Sequence, residues 1–341
     1  MGRQGARNPK PPQDAARREL RGPGAEVLRL IGYPVVREVL ADLGRRSRRP
    51  SQFGRGCGVD VSTFHRHAPE LLAVKAITRR AVPGPPRQVF YSLGPTGAEL
   101  CELIDGWLAL LPAMRRTDWR APIGFGEAWA AGLTQALLDG SLRLPEIEMS
   151  VHLARPGVTA HQVGRLLRNN SRAGFLLSER PQGHESYEVT DRGRHAVAEL
   201  GASARFERRN MASVATPIAV DDVVDGLRAH LPLLELPADL EGICEFGIVA
   251  DSGQESSAAM AWAEVREGRV VASGSGRPSR PGDSWARGTI TEWMDTVIDH
   301  RRDGVRVAGE RALGRAVVDA LRSRHQSRLG TLAAGHPATA Q

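Results

Sequence analysis

The sequence has three cysteines in 341 residues, Cys57, Cys101 and Cys244, too far apart for a CxxC pair or a Cys/His group at zinc-site spacing. That excludes a disulfide framework and leaves no metal ligands to assign, so the three are expected as reduced, mostly buried thiols. No apolar run approaches the ~20 residues a bilayer-spanning helix needs, so no membrane is expected among the partners. The first 24 residues are polar, rich in Arg, Pro and Gly, and lack an apolar h-region. They read as a disordered basic arm rather than a signal peptide, and a cytoplasmic location is expected. No nucleophile elbow, zincin helix or dinucleotide fingerprint occurs, and Gly274-Ser275-Gly276 is not followed by a helix at phosphate-loop spacing. Asp221-Asp222, Glu207 beside Arg208-Arg209, and His184-Glu185 fall on polar helix, linker or loop patterns and read as solvated groups. The chain is therefore not expected to be an enzyme, and no catalytic residue or cofactor is assigned.

What is present is a long chain with an uneven charge. A hydrophobic fraction of 41% over 341 residues allows two or three compact domains. The abundance of Ala, Arg and Gly fits a GC-rich coding bias of a bacterial kind, and aromatics amount to only 5%. Up to Arg120, 21 Lys and Arg stand against 11 Asp and Glu; beyond it, 25 stand against 28. The net charge of +7 thus arises from the first third. A polyanion suits such a surface, because each phosphate it neutralises releases a condensed counterion.

Helical spacing begins at Ala25, with Val27, Leu28, Leu30 and Ile31, breaks at Gly32-Tyr33-Pro34, and resumes through Val35, Val36, Val39 and Leu40. Two short helical patterns follow between Ser51 and Ile77, separated by Gly54 to Gly58. Next come a basic, Pro/Gly-rich excursion from Arg79 to Arg87, an alternating strand from Gln88 to Leu93, and a helix opened by Thr96-Gly97. This is the order of a winged helix-turn-helix. It then returns: Trp129 to Leu138 is helical, Pro145 opens a second helix and Thr159 a third. Phe175-Leu176-Leu177 and Tyr187-Glu188-Val189 form a hairpin, and Gly193 opens a last helix. Tyr91, Leu93, Gly97 and Leu100 align with Tyr187, Val189, Gly193 and Ala196, a duplication near one hundred residues apart. From Gly242 the pattern changes to a strand, a hairpin around Glu267-Gly268, a helix from about Thr289, a short strand at Val305 and a final helix through Leu321.

In a helix-turn-helix the second helix enters the major groove, with side chains near its N-terminus on base edges and its first amides available to a phosphate. In the first unit that places Ser62, Thr63, His65, Arg66 and His67 on the groove side, with Val61, Phe64 and Leu71 or Leu72 packed inward. Pro69 is expected either to kink this helix or to end it, since an interior proline costs on the order of 3 kcal/mol. Arg79, Arg80, Arg87 and Gln88 fall at the base and tip of the wing, where cations meet phosphates or the minor groove. In the second unit Thr159 and Gln162 make a capping box, and the exposed side carries His161, Gln162, Arg165 and Arg168. Gln suits adenine and Arg suits guanine. The same face reads equally as a solvated helix in an interaction module.

The segments Leu71-Leu72, Ala76-Ile77-Thr78-Arg79-Arg80, Pro86-Arg87-Gln88-Val89-Phe90-Tyr91-Ser92-Leu93 and Gly97-Ala98-Glu99-Leu100 give residues 25–112 a likeness to a known family. They resemble the HxlR-like winged-helix regulators, which implies operator binding to double-stranded DNA as a homodimer and, in some members, sensing of small molecules or oxidants through an N-terminal cysteine. No cysteine precedes Cys57. Residues 242–321 are similar to the sterol-carrier-type domain at the C-terminus of some such regulators, through Trp262-Ala263-Glu264-Val265, Trp285-Ala286-Arg287-Gly288-Thr289 before Trp293, and Val305 to Glu310. That resemblance implies an apolar tunnel for a small apolar effector, lined here by Trp262, Trp285 and Trp293.

The expected architecture is α+β: a disordered basic arm (1–24), winged helix-turn-helix units at 25–115 and 122–212, a sterol-carrier-like domain (217–325) and a disordered tail (326–341). The expected function is DNA-binding regulation. Two rivals stay open. One is a pure dimerisation module, since Arg165 to Arg168 with Tyr187 to Thr190 also looks like the N-terminal part of small-molecule O-methyltransferases; no glycine-rich nucleotide fold follows. The other is a tandem winged-helix DNA glycosylase, for which no catalytic group is in view.

Overall fold

The computed structural model describes residues 22–83, 88–111, 119–180, 184–213, 215–251, 258–298 and 304–334. The protein is α+β, with small sheets and one five-stranded mixed sheet. Pro34 and Pro145 each sit in the first turn of a helix, where a missing N–H costs nothing.

The first third contains α1 (Ala25–Gly32), α2 (Pro34–Leu43), a 3-10 turn at Pro50–Gln52, α3 (Phe53–Cys57), α4 (Val61–Ala73), an antiparallel hairpin of β1 (Ile77–Val82) and β2 (Gln88–Leu93), and α5 (Gly97–Leu110). The second third repeats that order with α6 (Arg120–Ala130), α7 (Leu133–Ala136), β3 (Leu142–Arg143), α8 (Leu144–Ala154), α9 (Ala160–Ala173), β4 (Leu176–Glu179), β5 (Ser186–Val189) and α10 (Asp191–Asn210). In both repeats a buried tyrosine of the hairpin's second strand also pairs with chain preceding the short helices: Tyr91 bridges to Arg48, and Tyr187 pairs with Leu142 of β3. The aligned glycines share one physical reason. A Cβ on Gly97 would run into the Ala76 carbonyl oxygen, and one on Gly193 into that of Phe175, where the last helix starts against the hairpin.

The two repeats are fused, not strung in series. One apolar core runs from Val27 and Leu40 through Phe64 and Trp107 into Phe125, Phe175 and Phe206. Trp107, Phe125 and Phe175 stack edge to face across the boundary, at 5.1–6.5 Å between ring centroids. Trp107 donates its Nε1–H to Ser203, and Arg205 pairs with Glu99 at 3.1 Å. The buried Glu207 of α10 reaches back to cap the start of α1, accepting from the amides of Glu26 (2.9 Å) and Val27 (3.4 Å), and its other oxygen takes the Thr216 amide (2.9 Å). Burial pushes its carboxyl above the usual range, against three backbone donors that favour the charged form.

The last third holds α11 (Val220–His230), β6 (Gly242–Val249), β7 (Ala258–Arg266), β8 (Arg269–Ser275), β9 (Ser284–Thr289), α12 (Ile290–Val297), β10 (Arg306–Gly309) and α13 (Arg311–Ala334). The strand order is β10-β9-β6-β7-β8, antiparallel except for the β6–β9 pair. Cys244, Phe246, Ile248, Ala261, Ala263 and Ala286 turn to one face, where all three helices cover them.

Several expectations change. Residues 22–24, assigned to a disordered arm, form a turn packed on α6 and α10, and α13 continues to Ala334, past the expected end at 325. The Arg79 excursion is strand β1, and β9 carries an unforeseen parallel pairing. Val61, expected inside, is 37% exposed. Helix α4 neither ends nor restarts at Pro69 but runs through it.

Candidate nucleic-acid interface

Helix α4 stands on Phe64, which packs between Phe53 of α3 (4.5 Å between centroids) and Tyr91 of β2 (4.8 Å). This clamp leaves Ser62, His65 and Arg66 exposed, with Thr63 half-buried beside them. His67, expected to face a groove, is half-buried with its ring 4.5 Å from that of Tyr33. Asp60 caps the helix, accepting from the amides of Ser62 (2.7 Å) and Thr63 (3.4 Å) and from the Ser62 hydroxyl. These bonds hold its carboxyl below the usual range, the Ser62 hydroxyl contributing most. The first amides of α4, expected to be open to a phosphate, already have a carboxylate, and Ser62 spends its hydroxyl there.

Beside this helix the hairpin presents cations on both faces. Arg79 lies opposite Tyr91 and shares the face that meets α4; Arg80 lies opposite Phe90, over which the Arg49 guanidinium sits at 5.0 Å. Gln88 is half-buried opposite Val82, and Arg87 lies outside the described residues. From Leu71 to Ala98 the chain carries four cations and no carboxylate. Arg45 and Arg46, in the turn leading to the Arg48 bridge, and Arg55 on α3 are exposed as well. No ion pair or hydrogen bond engages the side chains of Arg45, Arg46, Arg55, Arg66, Arg79 or Arg80 among the described residues. Arg48 differs: it is buried in a two-pronged pair with Asp42 (2.6 and 2.7 Å). No protein-family model matches this chain, and no curated protein shows significant sequence similarity to it. The site therefore rests on its own geometry.

The second repeat carries the same elements with different chemistry. The Thr159–Gln162 capping box forms: the Gln162 side-chain oxygen accepts from the Thr159 backbone N–H at 2.8 Å and the Thr159 hydroxyl from the Gln162 backbone N–H at 3.3 Å. Gln162 is thereby occupied with its own helix end. Arg165 pairs with Glu127 of α6 at 3.0 Å, while His161 and Arg168 are exposed. Its hairpin carries Glu179, Glu185 and Glu188 against Arg180, the reverse of the first hairpin's charge. Like charge repels a phosphate rail, so this face is poorly suited to one.

The missed contributors are Arg45, Arg46, Arg49 and Arg55. The run Arg45-Arg46-Ser47-Arg48-Arg49 was the available signal, but which of four neighbouring arginines is buried depends on Asp42, six residues away from Arg48.

The tryptophans expected to line one tunnel lie on opposite faces of the sheet. Trp293 is 1% exposed on the helix side, edge-on to Phe246 and donating to the Gly247 carbonyl at 3.1 Å. Trp262 and Trp285 alternate to the opposite face on either side of Glu245, with Trp285 45% exposed. A single tunnel lined by all three is not formed. Burial raises the thiol of Cys57, pushes Cys101 up to about 11 and Cys244 up to about 12, so all three stay protonated and poorly nucleophilic near neutral pH. Among the described residues no cluster could hold a metal ion, and no helix is long and apolar enough to cross a membrane.

Proposed function

We propose that the chain is a DNA-binding transcriptional regulator built from two winged helix-turn-helix units and a sterol-carrier-like C-terminal domain, acting as a homodimer in the cytoplasm, with the first unit meeting the duplex. One observation carries the reading: six exposed arginines that no described side chain engages, on the turn after α2, on α3, on α4 and on the first hairpin, around a helix end that offers His65 and Arg66. Arg66 has the donors to read guanine, and the hairpin arginines and Arg45, Arg46 and Arg55 would position the duplex through phosphates. The acidic hairpin and the engaged Arg165 favour a structural part for the second unit. Its α8 exposes Met149 (61%) and Leu153 (75%) one turn apart, a surface suited to the partner subunit. The layering of the C-terminal sheet under helices on one face supports the sterol-carrier-like assignment. The reading assigns no catalytic step.

The test is binding of the full chain to duplex from upstream of its own gene across a salt series. Preference over scrambled duplex, with affinity falling steeply as salt rises, supports the reading; absence of binding at low salt refutes it.

A further inference from the structure

The short helix that precedes the recognition helix differs between the two repeats. In the first, α3 turns an arginine, Arg55, to solvent. In the second, α8 turns out Met149 (61%) and Leu153 (75%), the two most exposed large apolar side chains among the described residues. One turn apart, they form a stripe on the side of α8 opposite Ile147 and Val151, which are buried in the core of the second repeat. An apolar stripe on an otherwise polar helix surface marks a contact.

The flank of the stripe says with what. At about 3.6 residues per turn, Glu148 and His152 fall on one side of it, and Arg155, which closes the helix, follows three residues on. Glu148 is half-buried and His152 and Arg155 are exposed, and no described side chain pairs with any of the three. Glu146, on the other flank, gives its carboxylate to the Arg143 amide at 2.7 Å and is committed to the helix start. Along one edge, then, α8 runs from acid to base. A copy laid antiparallel reverses that order, so the acid of each chain meets the bases of the other, whereas a parallel copy sets like against like. Opposed macrodipoles favour the same arrangement.

We propose that α8 pairs antiparallel with α8 of a second copy of this chain, about a two-fold axis level with Val151. Met149 packs against the partner's Leu153, and Glu148 lies between the partner's His152 and the partner's Arg155. The pairing rests on the homodimer reading above and supplies its location, direction and register. With 11 residues, α8 is about 16 Å long, so the contact is smaller than the roughly 800 Å² per partner of a standard interface. Self-association on the order of micromolar is therefore expected rather than a permanent dimer.

The experiment is sedimentation velocity of the full chain, without DNA, over a dilution series. A monomer–dimer equilibrium is expected. Glu148→Arg and Arg155→Glu each set like charges together at both ends of the pair, so each should weaken self-association at least fivefold at low salt, and less as salt rises. Combining the two substitutions in one chain restores opposite charges and should return the affinity to within twofold of the parent. Mixing the two single variants should form a heterodimer at concentrations where neither pairs with itself. Unfolding temperatures of all variants are compared first. Arg155→Glu, and Met149→Glu with Leu153→Glu, lie at exposed positions and carry the test if Glu148→Arg does not fold. A chain that stays monomeric, a dimer that no folded variant weakens, or a double charge reversal as weak as the single ones overturns the pairing. Binding to duplex is scored separately: its loss with this dimer intact overturns the regulator alone, and a monomer that still binds duplex overturns the pairing alone.

Discussion

Single side chains decide the electrostatics. Arg79 and Arg80 sit exposed on neighbouring positions of one strand, so each would meet a phosphate independently. Replacing both with Ala should lower the slope of log K against log salt by about 2, at roughly 0.9 per phosphate, with equal loss on specific and scrambled duplex. Arg165→Ala, already paired with Glu127, should leave DNA affinity unchanged in the same titration. Glu207→Ala would strand two helix amides and the Thr216 amide, for a loss of about 2–4 kcal/mol by urea unfolding, with Glu207→Gln losing about half. Asp225 gives a pH signature. Desolvation pushes its carboxyl up to about 6 from 3.8, helped by Asp222 and Asp221 and opposed by Arg228, which also pairs with Asp139. The folded chain then binds this proton more tightly than the unfolded one. Its contribution is best below about pH 4, declines as pH rises toward 6 and is flat beyond. Asp225→Asn should therefore gain on the parent chain by on the order of 2 kcal/mol between pH 4 and 7, seen as converging or crossing urea midpoints.

At the level of elements, periodicity made much of the chain readable. The duplication was visible because Gly97 and Gly193 answer the same steric demand, and the buried tyrosines fix the hairpin register beside them. Of the two outcomes open at Pro69, an early end is the one not formed, because local propensity is only part of the balance. Full burial of Phe64 and Leu71 contributes roughly 3–6 kcal/mol, above the ~3 kcal/mol cost of the proline, so tertiary packing carries the helix through. The β6–β9 pairing was invisible because a parallel partner is chosen by a distant crossover, not by local alternation. The tryptophans share a residue type and a neighbourhood in sequence, but period-two alternation sends Trp262 and Trp285 away from Trp293, which sits on a helix. Which arginines find a carboxylate was not legible, because the carboxylates that claim Arg48 and Arg165 come from other elements. On α8, Met149→Glu with Leu153→Glu should convert the proposed dimer to a monomer by light scattering at unchanged melting temperature, since both side chains are already exposed.

For the molecule as a whole, the shared core means that the repeats are not independent parts. A fragment spanning residues 22–111 would lose Phe125 and Phe175 against Trp107 and the carboxylate at the head of α1. It should show no cooperative thermal transition by circular dichroism, whereas a fragment spanning 22–213 should. The C-terminal third is tied in turn by Arg228 to Asp139 and by Arg208 to Asp251 at 2.8 Å, so reorientation of the three units has to break named ionic contacts. The capping carboxylate of α1 also lies 181 positions downstream of the amide it holds. On the ribosome, the front unit must wait for most of the second to emerge before its opening helix is complete. A chain cut short by premature termination ahead of Glu207 would thus be released with its opening helix uncapped, a substrate for proteolysis rather than a truncated but competent binder.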